Sequence, residues 1–204
     1  MSDSPTIIPA SVSLAAYAIA LCLLGAAHAT DGREPLKRAV SDYANGPASR
    51  LFVAYGLSGI LGATALAAAL WPIVQGWLPK LLAALAVLRL GVLIWPTDRG
   101  GVAQSRAGRL HLLFAVVTFA LAYQVVSTGT TFARQHSTPA WNSYWRFMAL
   151  LVPAALTAVV VTLIVPSLRR VFGLAERVFL IATLVWNASL AVALIAYGGL
   201  ASVP

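Results

Sequence analysis

The chain has 204 residues, 60% of them hydrophobic and 10% charged, with a net charge of +8 and a mean hydropathy of +0.84. A soluble domain of this length needs a largely polar exterior, which this composition does not supply, so the sequence reads as an integral membrane protein. No soluble part remains to present a basic face to nucleic acid, and the positive charge becomes a signal of topology.

A bilayer crossing takes about 20 apolar residues. Six runs qualify, over residues 8–27, 51–70, 81–95, 111–126, 147–165 and 174–197, and together they predict one all-α domain over residues 1–204, a six-transmembrane-helix bundle. The third and fourth runs are short, so interfacial residues or a half-buried loop are expected to complete them. Ala27-His28-Ala29 resembles a signal cleavage site, but residues 1–9 carry no lysine or arginine, and the first run is expected to stay as a helix. The single cysteine, Cys22, excludes a disulfide or a cysteine metal site within one chain.

Basic residues sort the connections into two sets. Arg33, Lys37, Arg38, Arg50, Arg99, Arg106, Arg109, Arg169, Arg170 and Arg177 follow the first, third and fifth runs, against Lys80, Arg134 and Arg146 on the other side. The positive-inside rule then places both termini on the outer side of the inner (plasma) membrane, with the odd-numbered connections in the cytoplasm.

In the first connection, Ser41-Asp42-Tyr43 followed by Gly46-Pro47 predicts a short capped turn that holds Asp42 at the membrane surface. Ser58 and Gly62 in the second run have the spacing that lets two membrane helices approach closely. Trp71, Trp77 and Pro79 read as an outer aromatic belt. Arg89 lies inside the third run, where an arginine costs roughly 2.5 to 3.5 kcal/mol unless it snorkels or meets a partner. Asp98, Asp42 and Glu176 are the candidate partners on its side of the membrane.

Pro96 directs Trp95 away from helix, and Pro96-Thr97-Asp98 before Gly100-Gly101 predicts a turn. Because this turn joins two short runs, Asp98 is expected at the edge of the hydrocarbon, where desolvation would raise its pKa and Arg89 would lower it. His111, Ala115, Thr118 and Ala122 form a small, polar helical face expected to look into the bundle. Residues 127–145, rich in Ser, Thr and aromatics, read as an outer interfacial lid, and Pro153 as a kink in the fifth helix. Glu176, Thr183 and Asn187 recur along about 16 Å of one face of the last helix, with Trp186 beside them. Asn187 falls near mid-membrane and calls for a partner across the bundle.

Three stretches in order, Ser41-Asp42-Tyr43 with Gly46, Trp95-Pro96-Thr97-Asp98, and Gly108 with His111, resemble the bacterial six-span family catalogued as domain of unknown function 998. The resemblance covers nearly the whole chain. It implies a six-helix bundle and marks Asp42, Asp98 and His111. The chain departs from the family's usual pattern at Trp95, where phenylalanine is common, and at Ala44-Asn45 inside the first motif. The family implies no activity.

These motifs all fall on odd-numbered connections and predict the cytoplasmic mouth of an intramembrane cavity. The expected function is a membrane-embedded enzyme acting on a lipid or isoprenoid, for example by protonation-initiated terpenoid cyclisation. Asp98, Asp42 and His111 would be catalytic, and Arg89, Tyr43, Trp95, Glu176, Thr183, Trp186 and Asn187 would bind substrate. The alternative is a non-catalytic lipid-binding or lipid-translocating protein. Neither reading calls for a cofactor. A magnesium site at Asp42, Asp98 and Glu176 is disfavoured by the nearby arginines, and a two-histidine site at His28 and His111 lacks ligand spacing. There is no P-loop, dinucleotide fingerprint or hydrolase motif.

Overall fold

A computed structural model describes residues 5–32, 34–98 and 103–196. Arg33, Arg99, Gly100-Gly101 and Tyr197 lie outside the described residues. Six helices follow in order: α1 (Ile7–Asp31), α2 (Ser49–Leu70), α3 (Trp77–Ile94), α4 (Arg106–Gln135), α5 (Pro139–Ile164) and α6 (Phe172–Ala196). Short 3-10 segments, Val40–Asn45 and Pro166–Val171, precede α2 and α6. Each of the six is long and apolar enough to cross a bilayer, so the chain is an all-α, multi-pass membrane protein.

Local chemistry sets the helix ends. Gly32 closes α1 in the left-handed region at φ 58°, its N–H donating to the His28 carbonyl. Trp95, extended ahead of Pro96, ends α3. Ser105 caps α4 by accepting the Gly108 N–H at 2.9 Å.

Two expectations about length are corrected. The fourth span is not short, since α4 runs for 30 residues, whereas α3, Trp77–Ile94, has 18 and is the shortest of the six. Residues 127–145 do not form a lid, because α4 continues to Gln135 and α5 begins at Pro139. Inside a helix, serine and threonine satisfy their hydroxyls on carbonyls one turn back, as Thr131 does on Ser127 (3.3 Å), so a run of them does not break it. α5 also remains helical through Pro153.

Each helix packs on its neighbours in the chain, and α1 closes the ring against α6. α6 also reaches α2 and α4, which makes it the most enclosed helix. The close-packing face of α2 runs through buried Gly56, Gly59 and Gly62, while Ser58 is half-buried beside it.

The interior has two halves. Toward the α4–α5 connection, Trp141, Tyr144, Trp145 and Trp186 pack ring on ring. There Trp186 Nε1 donates to Thr130 Oγ1 at 3.0 Å, and the Tyr144 and Ser189 hydroxyls meet at 2.7 Å. Toward the basic connections the helices part around a cavity.

Candidate functional site

The cavity lies between α2, α3, α4 and α6 and is covered by Val40 and Ser41 of the first 3-10 segment. The cavity has a volume of about 80 Å³ and is open on one side, so it encloses less than the roughly 300 to 1,000 Å³ of a typical small-molecule pocket. Phe52, Val92, Leu93, Phe119, Phe179 and Leu180 give it apolar walls, into which Tyr55, Arg89, His111, Thr118, Glu176 and Thr183 bring polar groups. Apart from half-buried Arg89, these polar residues are buried.

Arg89 does not snorkel. Leu93 packs on Gly56 and Arg89 on Gly59, so a step of four residues along α3 matches three along α2, about 6 Å against 4.5 Å of rise. The guanidinium therefore reaches sideways at nearly its own depth, against a backbone that only glycine leaves open: a methyl on Gly59 would overlap Nη1. Gly59 is ten residues into α2, about 15 Å from its start, and Arg89 is five residues from the end of α3, about 7.5 Å, so the guanidinium lies within the apolar spans but closer to the end of α3 than to its start. Among the described residues no carboxylate pairs with Arg89 and no group hydrogen-bonds to it. The hydroxyls of Tyr55 and Tyr17 are within its electrostatic reach.

His111 is 5% exposed, and its Nδ1 lies 2.8 Å from the Trp95 carbonyl. A carbonyl can only accept, so Nδ1 carries the proton and donates, leaving Nε2 for the cavity. Glu176 accepts the Val40 N–H on Oε2 at 2.6 Å, which ties the cover of the cavity to α6. Thr183 spends its hydroxyl on the Leu180 carbonyl, 2.9 Å away. Thr118 Oγ1 is buried without a hydrogen-bond partner among the described residues.

A family model spans residues 12–193, most of the chain. The chain belongs to the family described as Protein of unknown function (DUF998). No curated protein and no solved structure matches it.

The DUF998 cavity takes in four of the residues named from sequence, Arg89, His111, Glu176 and Thr183, together with the face at Ala115, Thr118 and Ala122. The two motif loops do meet, since Asn45 Nδ2 donates to the Thr97 carbonyl at 2.9 Å. The acids they carry do not line the cavity.

Asp98 is the clearest correction. Its Oδ2 accepts the Gln104 and Ser105 N–H groups at 2.7 and 2.8 Å, and its Oδ1 accepts the Ser105 hydroxyl at 2.7 Å. It thereby orients the residue that caps α4, and Gly108 is glycine because a methyl there would run into this carboxylate. The Ser105 hydroxyl foremost and the Ser105 amide next hold Asp98 below the usual carboxylate range against an opposing desolvation effect, with lesser help from the Gln104 amide and the Arg109 charge; Arg89 is not among the causes. An acid so held is a poor proton donor.

A depressed pKa means that the stabilisation is present above the unfolded-state value, about 3.9, and is lost as pH falls through the lower folded value. Acidification below about pH 4 should loosen the α3–α4 connection in the wild type, read as faster amide exchange at Gln104 and Ser105. Asp98→Asn should exchange faster already at neutral pH and lose much of that acid response.

Asp42 sits in the 3-10 segment, half-buried, and is not among the residues lining the cavity. Tyr43 is a strut: it is 2% exposed, its hydroxyl accepts from Arg177 Nη2 at 2.7 Å and lies 3.2 Å from His28 Nδ1. Trp95 contributes its carbonyl, while its ring stays partly exposed outside the cavity. Trp186 belongs to the aromatic half. Asn187 finds no partner across the bundle; Nδ2 donates back to the Thr183 carbonyl at 2.7 Å and Oδ1 is left without a partner among the described residues.

Tyr55 and the phenylalanine walls were not legible as site residues, because an aromatic on an apolar helix reads as core. No group of three His, Cys, Asp or Glu side chains suited to a metal forms among the described residues.

Proposed function

We propose that this DUF998 protein is an intramembrane enzyme for a lipid or isoprenoid, with Glu176 and His111, rather than the loop aspartates, exchanging protons with the substrate. The observation that carries the reading is the convergence of a carboxyl, an imidazole whose Nε2 has no hydrogen-bond partner among the described residues and a guanidinium in one largely apolar cavity between membrane-spanning helices. Buried acid and base groups on rigid helices suit proton transfer. By the distribution of basic residues, the cavity opens toward the cytoplasmic leaflet of the plasma membrane.

Arg89 weighs against protonation-initiated terpenoid cyclisation. A permanent positive charge in the cavity repels the carbocation that such a reaction must build, whatever the aromatic walls contribute. Proton transfer on an amphiphile with an anionic end is the better match. The second reading, lipid binding without chemistry, draws on the bond from Val40 to Glu176, because a carboxylate committed to holding the cover is less available to react.

The test compares membrane lipids of cells producing wild-type protein, Glu176→Gln, His111→Phe and Asp98→Asn, using mass spectrometry normalised to folded protein. The enzyme reading expects a lipid change that falls on the order of a hundredfold in the first two variants and persists in Asp98→Asn. A lipid that co-purifies unaltered with all four would support the binding reading. A lipid change unaffected by Glu176→Gln and His111→Phe would refute the assigned acid–base pair.

A further inference from the structure

We infer that the ligand of this cavity carries a single negative charge at the end of an apolar chain, as a long-chain carboxylate does, and that the Arg89 guanidinium holds that charge. The inference rests on the lipid-cavity reading above and narrows it to a head-group class.

The first ground is the position of Arg89. It is held sideways within the apolar spans by the glycine face of α2, has no partner among the described residues, and lines the cavity. An arginine at that depth is stabilised by a counter-charge, and none comes from the described protein. Glu176, the carboxyl that shares the cavity, is turned to the Val40 N–H instead. The planar guanidinium fork matches two carboxylate oxygens in a way that a lysine ammonium does not.

A second ground is the unused hydroxyls. Thr118 lines the cavity at 5% exposure, its Oγ1 without a partner among the described residues. Tyr55 lines it within the field of Arg89; the Tyr17 hydroxyl, also within that field though not on the cavity wall, is buried and has no partner among the described residues. Buried polar groups are satisfied in nearly all native structures, and the oxygens of an anion held by Arg89 would accept from such donors.

Charge and size then select the head group. With the Glu176 carboxyl protonated, one permanent cation balances a monoanion. A prenyl diphosphate would place several negative charges next to Glu176. A diacyl phospholipid has an acceptable charge but brings two chains and a glycerol to a cavity of about 80 Å³, which has room for a small head group and leaves the chain to its open side. Phe52, Leu93, Phe119 and Phe179 offer apolar contact to the first carbons of one chain.

The experiment is native mass spectrometry of the full chain released from neutral detergent, with oleate, oleyl alcohol, farnesyl diphosphate, a diacyl phosphatidylglycerol and acetate added in turn. Oleate should bind saturably and at least tenfold tighter than the alcohol, the diphosphate and the phospholipid, and acetate should not bind. Arg89→Gln should reduce oleate to the affinity of the alcohol, a loss of roughly tenfold to a hundredfold for a charge-assisted contact. Arg89→Lys should fall between. Gly59→Ala, which displaces the guanidinium but keeps its charge, should also weaken oleate and so provides the test if Arg89→Gln does not fold.

Equal binding of oleate and its alcohol, or oleate binding indifferent to both Arg89→Gln and Gly59→Ala, would overturn the anionic anchor and leave the lipid cavity standing. Preference for the diphosphate or the phospholipid would overturn the choice of head group. If wild-type protein takes up none of the amphiphiles, neutral or charged, the lipid-cavity reading falls as well.

Discussion

Arg177→Ala should destabilise the protein by about 3 kcal/mol or more and release the α1–α2 connection to proteolysis between Glu34 and Ser41. Arg177 Nη1 is shared among the carbonyls of Pro35, Arg38 and Gly173 at 2.6, 2.7 and 2.8 Å, Nη2 donates to the Tyr43 hydroxyl, and the guanidinium lies 5.5 Å from the Tyr43 ring centre. Hydrogen bonds to a charged group contribute about 1.5 to 3 kcal/mol, and removing one side leaves partly buried carbonyls unpaired. The same connection is joined to α6 at two more points, Leu174 N–H to the Leu36 carbonyl and Val40 N–H to Glu176. Losing Arg177 therefore strains the cover of the cavity along with the loop.

Gly173→Ala supplies an independent route to the same result. A methyl there would meet the backbone oxygens of Arg38 and Pro35, which cannot rotate aside. Protease mapping and unfolding in a denaturing detergent should show both variants failing first at this connection. Equal resistance to wild type would show that the connection is held by something other than α6.

How much of this was legible in the sequence follows from the range of the forces involved. The helices were readable because a bilayer requires long apolar runs, and Arg89, His111, Glu176 and Thr183 because polar groups within such runs must face one another or a cavity. The lengths of α4 and α5 were misread. Serine and threonine over residues 127–131 look like a loop by composition, yet they satisfy themselves inside a helix.

Asp98 departs from expectation for a different reason. Its partner Ser105 is seven residues on, at the start of α4, so a local cap takes an acid that composition alone marks as exceptional. Ser105 with Gly108 at the start of α4 carried a readable capping pattern, and that signal points to structure, not catalysis. Tyr55 had no readable signal at all, since its role depends on where α3 sets Arg89.

Trp186→Ala should cost about 3 kcal/mol, the lower end of what burying and then deleting a large aromatic implies. The ring is fully buried, meets Trp145 at 5.9 Å between ring centres, and packs so tightly on α4 that a methyl on Gly129 would overlap it. In a bilayer the lipid is as apolar as the core, so the loss comes from dispersion contacts and the void rather than from water exposure. Trp186→Phe separates the contributions: it keeps much of the packing but strands the Thr130 hydroxyl, at a cost of about 1 kcal/mol. Both are measurable by unfolding in a denaturing detergent. Because Trp186 lies in the aromatic half and not on the cavity, oleate affinity of the folded fraction should stay within about twofold of wild type at both substitutions, consistent with the near-independence of sites that share no partners. A large loss of affinity on Trp186→Phe would mean that the two halves of the bundle are mechanically coupled through α6, whose Thr183 faces the cavity while its next turn carries the tryptophan.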